Sequence, residues 1–273
     1  MKNRLIQKIQ EVKKKKGKLF CPFVTLGYPD LKSSERLILE FEKLGADVVE
    51  LGIPFSDPMA DGPTIQYSSE WALRQGISIH DAFHLVSNLR LRGCKIPILC
   101  FSYLNPIYHF GISAFPLKAK QSGFDGLIIP DLPPEEEKDL QKACRRQGLA
   151  QIFLVAPTTL SKRAALIDRS SSGFVYYVSL RGVTGARKAL PSDLPKEIKK
   201  IQKNVKHPLL IGFGISSPEQ AKSMSHLSQG VIVASSLIDK IRLNDERIDQ
   251  AIDYAREMLK AVKGPFHAKS SRS

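Results

Sequence analysis

Apolar positions gather into eight short runs along the chain, at 18–25, 48–51, 96–101, 126–129, 150–155, 174–178, 207–211 and 230–233. None shows the strict alternation of a strand with one wet face, so each reads as a strand buried on both sides. Helical spacing fills the intervals. Leu5, Ile6, Ile9 and Val12 mark an amphipathic helix over 2–15 that caps the bottom of the core. Leu37, Ile38, Phe41 and Leu44 mark another, capped by Ser33 or Ser34 and stopped by Gly45. Further helices are expected after Pro63, over 79–92, near 112–121, from the acidic opening at 135–137, over 162–168 and over 244–262. Eight parallel strands alternating with helices predict a single-domain (β/α)8 TIM barrel with an extra N-terminal helix. An open doubly wound sheet is the weaker alternative, and no GxGxxG follows the first strand to suggest a dinucleotide site. The barrel is expected over 1–262, with a basic, disordered tail over 263–273.

Composition narrows the class. With 273 residues and 42% hydrophobic content, the chain buries a large core without staples. Cys21, Cys94, Cys100 and Cys144 are widely spaced, which argues against a zinc site or disulfide frame and for a reducing, cytoplasmic setting. His80 and His84 have metal spacing but no third ligand nearby, so no metal is expected. No apolar run reaches membrane-spanning length. The net charge of +14 sits in Lys13–Lys16, in 196–206 and in the tail, scattered rather than on one nucleic-acid-binding face. An acidic or phosphorylated ligand accounts for part of it.

The chemistry concentrates in 48–66, VVELGIPFSDPMADGPTIQ. Glu50 lies near the end of a buried strand, where a carboxylate costs free energy unless paired or used. Barrel enzymes place their working groups at such strand ends. Burial would raise the pKa of Glu50, suiting an acid–base role, with a structural ion pair as the competing reading. Asp61, in the following loop, reads as solvated and ionised, while Asp57 and Asp131 read equally well as turn scaffold. Gly212 and Gly214 after the seventh strand, with Ala234 and Ser235 after the eighth, suit a backbone cradle for phosphate beside a helix starting near Ser236. The alternative is that these glycines only turn the chain. The stretch 179–195, with Gly182, Thr184 and Gly185 near its start, is long enough for a lid, the rival being a plain surface loop.

The segments PFVTLGYPD (22–30), ELGIPFSDPMADGPTIQ (50–66), PDLPPEE (130–136), RGVTGAR (181–187) and GFGISSPEQ (212–220) resemble, in order, those of the tryptophan synthase alpha subunit. The likeness runs from about residue 3 to 262. It implies a cofactor-independent lyase that cleaves indole-3-glycerol phosphate to indole and glyceraldehyde 3-phosphate, a reverse aldol-type step. By that resemblance Glu50 is the general acid–base, and Asp61 holds the indole N–H and steadies the charge developing on the ring. Phe23, Phe101, Ile128 and Val178 would form the indole slot, with Tyr103 and Tyr176 near the carboxylates. Thr184 and Gly185 belong to the lid. Gly185, Gly212, Phe213, Gly214, Ala234 and Ser235 would hold the phosphate. The implied partner is the beta subunit, which uses pyridoxal phosphate, in an αββα assembly that passes indole through a tunnel and couples the two sites allosterically. Asp57, Asn105 and Pro106 would face it. Two positions depart from the family pattern: Ser-Arg-x-Gly reads Ser179-Leu180-Arg181-Gly182, and the Gly-Ser after the last strand reads Ala234-Ser235. They favour a rival reading, a catalytically weak alpha chain kept as an activator of its beta partner.

Overall fold

The computed structural model describes residues 3–178, 193–212 and 214–264. Its strands are β1 (Leu19–Thr25), β2 (Val49–Gly52), β3 (Ile98–Phe101), β4 (Gly126–Ile128), β5 (Ala150–Ile152), β6 (Leu154–Val155), β7 (Val175–Val178), β8 (Leu209–Gly212) and β9 (Gly230–Val233). All pairings are parallel, in the order β5-β4-β3-β2-β1-β9-β8-β7-β6. The two ends of that order, β5 and β6, are one stave interrupted at Phe153. The Phe153 carbonyl still accepts the Tyr176 N–H at 3.0 Å. Nine segments therefore make eight staves and close the ring, which leaves no sheet edge to protect.

The helices are α1 (Arg4–Lys14), α2 (Leu31–Leu44), α3 (Pro63–Arg74), α4 (Ile79–Leu91), α5 (Leu104–Phe110), α6 (Ala114–Ser122), α7 (Lys138–Gln147), α8 (Ser161–Ser170), α9 (Leu194–Gln202), α10 (Pro218–Leu227), α11 (Ser235–Arg242) and α12 (Asp249–Lys263). Several differ from the sequence reading. The cap of α2 is Asp30, whose carboxylate accepts the Ser33 N–H at 2.7 Å. Ser34 is instead buried, accepting from the Gly27 N–H at 2.9 Å and donating toward carbonyls of the same turn. Asn105 and Pro106 lie in the first turn of α5, where proline costs no helical hydrogen bond. The acids of 135–137 precede α7 rather than open it, and Glu135 pairs with Arg163 at 2.6 Å. The expected closing helix, 244–262, begins later, at Asp249 of α12, and the helix expected near Ser236 forms as α11, with Asp245 and Glu246 at positive φ between the two. The basic stretch after 193 forms α9, with Ile198 and Ile201 turned inward.

The N-terminal ends of the strands are fastened by buried carboxylates. Asp125, just before β4, accepts from Arg4 at 2.8 Å, from Arg90 at 3.0 Å and from the Ile98 N–H at 3.0 Å. Asp47, before β2, accepts the Phe20 N–H at 2.9 Å and pairs with Lys263 at 2.7 Å. Asn3 caps α1 and donates to the carbonyls of Asp125 and Gly148, so this helix sits under the barrel as expected. Those contacts close the bottom and leave the C-terminal mouth for chemistry. Replacing Asp125 by Ala strands the nearly buried Arg90 guanidinium without its carboxylate partner. The expected loss is about 3 kcal/mol in urea unfolding, with Asp125→Asn costing less because it still accepts hydrogen bonds.

Candidate active site

Glu50 is the second residue of β2 and stands opposite Phe23 of β1 and Leu99 of β3 in the ladder. Its side chain points into the barrel and is only 1% exposed. Gly52 makes the room above it. A Cβ there would lie 2.3 Å from the Phe23 ring, so only glycine lets that ring cross the barrel axis to meet Phe101 edge-on at 5.8 Å. Gly212 does the same for Tyr176, whose hydroxyl would sit 2.3 Å from an added Cβ. Two glycines and two aromatic rings thus build an apolar chamber around one carboxyl.

The consequence is electrostatic. Oε1 of Glu50 is buried with no hydrogen-bond partner among the described residues. Burial pushes its carboxyl from the usual 4.5 up to about 8, opposed only by a hydrogen bond with the Cys21 thiol. Asp61 is half-buried rather than solvated. Burial raises its carboxyl from 3.8 to about 6, and a hydrogen bond with the Tyr103 hydroxyl opposes that rise. It is still ionised at neutral pH, so the expected charge holds while the expected solvation does not. Burial raises the Tyr176 hydroxyl, and the nearby Glu50, Cys21 and Asp61 add to that rise. Both acids therefore lie within electrostatic reach of Tyr176.

Tyr103 organises the mouth. Its hydroxyl accepts the Ala60 N–H at 2.9 Å, which ties the loop after β2 to the segment after β3. Its ring also packs against Phe55 at 5.4 Å. Asp131 is scaffold, accepting the Leu104 N–H through its two oxygens at 3.0 and 3.2 Å to start α5. Ile128 on β4 is fully buried and Val178 on β7 half-buried, the β5/β6 stave standing between their strands. Asp57 and Asn105 are exposed at the rim beside Met59 and Tyr108, which are 82% and 65% exposed.

Across the mouth, β8 and β9 end at Gly212 and Val233. The Ser236 hydroxyl donates to the Ile215 carbonyl at 2.9 Å and joins the two following loops. Gly214 sits at φ +75, a conformation that favours glycine. Ala234, before α11, has a negative φ of −122, so its backbone does not need the positive φ that only glycine adopts easily, and it places no side-chain cap on the helix. Leu180, Arg181, Gly182, Thr184, Gly185 and Phe213 lie outside the described residues. Cys21 is buried and hydrogen-bonds with Glu50, a contact that only strand register reveals. All four cysteines are buried, and no metal-holding cluster occurs among the described residues.

A closed parallel eight-staved barrel with one buried and one half-buried acid toward its C-terminal mouth has the architecture of a barrel enzyme. A family model for the tryptophan synthase alpha chain matches residues 9–266. The tryptophan synthase alpha chain of Geobacter sp. (strain M21) is 46% identical over 236 residues, covering 86% of this chain and 88% of that one. A crystal structure of tryptophan synthase subunit alpha from Legionella pneumophila str. Paris superposes with a TM-score of 0.89 at 34% identity, covering 96% and 99% of the two chains. A tryptophan synthase structure from M. tuberculosis, in an aminoacrylate-bound form, superposes at 0.85 with 28% identity, covering 96% and 100%. The chain belongs to the tryptophan synthase alpha chain family and is an indole-3-glycerol-phosphate lyase of tryptophan biosynthesis. The family carries no cofactor, and pyridoxal phosphate belongs to the beta chain.

The raised Glu50 carboxyl sets a pH dependence of stability. Between about 4.5 and 8 the unfolded chain releases this proton while the folded chain keeps it, so stability falls as pH rises through that window. Glu50→Gln should match the parent near pH 4 and exceed it by roughly 5 kcal/mol at pH 9, read from urea midpoints at both pH values.

Proposed function

We propose that Glu50 moves the protons and Asp61 holds the indole. In cleavage, C3 of the indole must first gain a proton, which turns the ring into an electron-accepting indolenine. The glycerol hydroxyl next to the breaking bond must then lose its proton. The bond's electron pair returns to the ring as the aldehyde forms, giving indole and glyceraldehyde 3-phosphate with no net proton change. With its carboxyl at about 8, Glu50 is largely protonated at neutral pH. It gives its proton to C3 and, as a carboxylate, recovers one from the hydroxyl. Asp61, at about 6, is ionised under the same conditions. It accepts the indole N–H and balances the positive charge of the protonated ring.

The observation that carries this reading is two carboxyls raised to different degrees around one apolar chamber, a pairing that separates the acid from the charge stabiliser. Phe23, Phe101, Ile128 and Val178 line the indole slot, with Tyr176 near the acids and Tyr103 at the rim. Gly212, Gly214 and the N–H groups of Ala234 and Ser235 take the phosphate, with Phe213 and Gly185 as further contacts and Thr184 closing the lid. The negative φ of Ala234, which does not demand glycine, supports a working phosphate cradle rather than a chain retained only as an activator.

The partner is a beta subunit, in an αββα assembly that passes indole between sites. Exposed Met59 and Tyr108, beside Asp57, Asn105 and Pro106, give the mouth an apolar rim that suits such a docking surface. No helix among the described residues is long and apolar enough to cross a membrane, and we place the chain in the cytoplasm.

Glu50→Gln should cut indole-3-glycerol phosphate cleavage by about 100-fold or more, with and without beta subunit. It should leave the dissociation constant of indolepropanol phosphate within a few-fold. Comparable loss of both would mean a scaffold role. The pH profile of kcat/KM should be bell-shaped, rising near 6 as Asp61 ionises and falling near 8 as Glu50 does. Asp61→Asn should remove the rising limb.

A further inference from the structure

The closed end of the barrel carries a second cavity, of about 450 Å³, between α1 and the entries to β1, β8 and β9. That volume falls within the range of small-molecule sites. Lys13 and Lys16 come from the end of α1, Lys18 from the entry to β1, and Lys206 and His207 from the turn before β8. Among the described residues no aspartate or glutamate lines it. Its floor is apolar, with Val12, Leu19 and Pro208.

Two features fix the turns that carry Lys18 and Lys206. One oxygen of Asp168, behind the cavity, accepts the N–H groups of Lys206 and His207 and meets Nδ1 of His207, each at 2.9 Å, which fixes that turn. Lys18 is tethered by its Nζ to the Ser228 carbonyl at 2.6 Å, leaving two of its three donors for other acceptors. In addition, Lys16 occupies the left-handed region at φ +51, where glycine is the usual residue after a helix. A non-glycine residue kept in that conformation points toward a use for its side chain. Four lysines around one concavity repel one another unless an anion sits among them.

We propose that this cavity binds a small organic phosphate with an apolar body, its charge on the lysine rim and its body on the Val12–Leu19–Pro208 floor. The site is separate from the catalytic phosphate cradle, which lies at the other ends of β8 and β9, roughly 13 Å away along four-residue strands.

Calorimetric titration of the full chain at low salt, with ATP as the probe and inorganic phosphate as the control, tests this. ATP should bind saturably with one site per chain, and inorganic phosphate far more weakly because it cannot use the floor. The double variant Lys13→Glu, Lys206→Glu should weaken ATP by at least about tenfold while leaving indole-3-glycerol phosphate cleavage unchanged. Lys16→Ala should weaken it to a lesser degree. Ser235→Glu, at the catalytic cradle, should leave ATP binding within about twofold. The proposal is overturned by an absence of saturable binding at millimolar ATP, by equal affinity for inorganic phosphate, or by a loss that follows Ser235→Glu instead of the lysine variants.

Discussion

A carboxyl group buried where its charge is penalised is the constraint on which the rest of the site depends. Glu50 could be relieved by one well-placed cation or by two backbone N–H donors, and the described residues supply neither to Oε1. What surrounds it instead is Phe23, Phe101 and Tyr176, brought in over Gly52 and Gly212. The same packing that excludes water for an indole ring raises the Glu50 carboxyl into the range where it can both give and take a proton. Substrate fit and acid–base tuning are therefore one arrangement rather than two.

The barrel tolerates that penalty because its ends are built differently. At the N-terminal end, Asp47 and Asp125 lie at the strand entries and have backbone or guanidinium donors within hydrogen-bond reach. Asp168 does the same work beside β8. These donors hold the carboxylates in place and rigidify the fold, although burial still raises the Asp47 carboxyl against the pull of Lys263. At the C-terminal end, Glu50 and Asp61 are undercompensated and held in place by neighbours that are themselves satisfied, such as Tyr103 through Ala60. Stability is concentrated at one end and reactivity at the other, as the topology of parallel barrels favours.

Much of this was legible in the residue pattern. Eight apolar runs without alternation specified eight buried parallel staves, and the boundaries of the last, 230–233, agree with β9. The misreadings have local causes. The Asn105–Pro106 pair looks like a loop until Asp131, 26 residues beyond Asn105, accepts the Leu104 N–H and starts a helix there. Ser33 and Ser34 look like caps, yet Asp30 is nearer the turn and takes the role. Phe153 interrupts a run that reads as one strand, because hydrogen-bonding continuity leaves no trace in hydropathy. Asp61 lies among glycine and prolines that suggest solvent, but Tyr103 from the neighbouring segment covers it.

The order of apolar and polar residues determined the barrel, the strand that carries Glu50 and the glycines that follow the seventh strand, because periodicity and turn chemistry act over a few neighbours. Tertiary structure alone decided that Cys21 touches Glu50, that Tyr176 lies within electrostatic reach of the two acids and that Ala234 takes a negative φ. It also decided that lysines from three separate elements meet around one cavity. Those outcomes depend on strand register and ring closure, which bring together residues up to about 190 positions apart, and no local pattern encodes such distances.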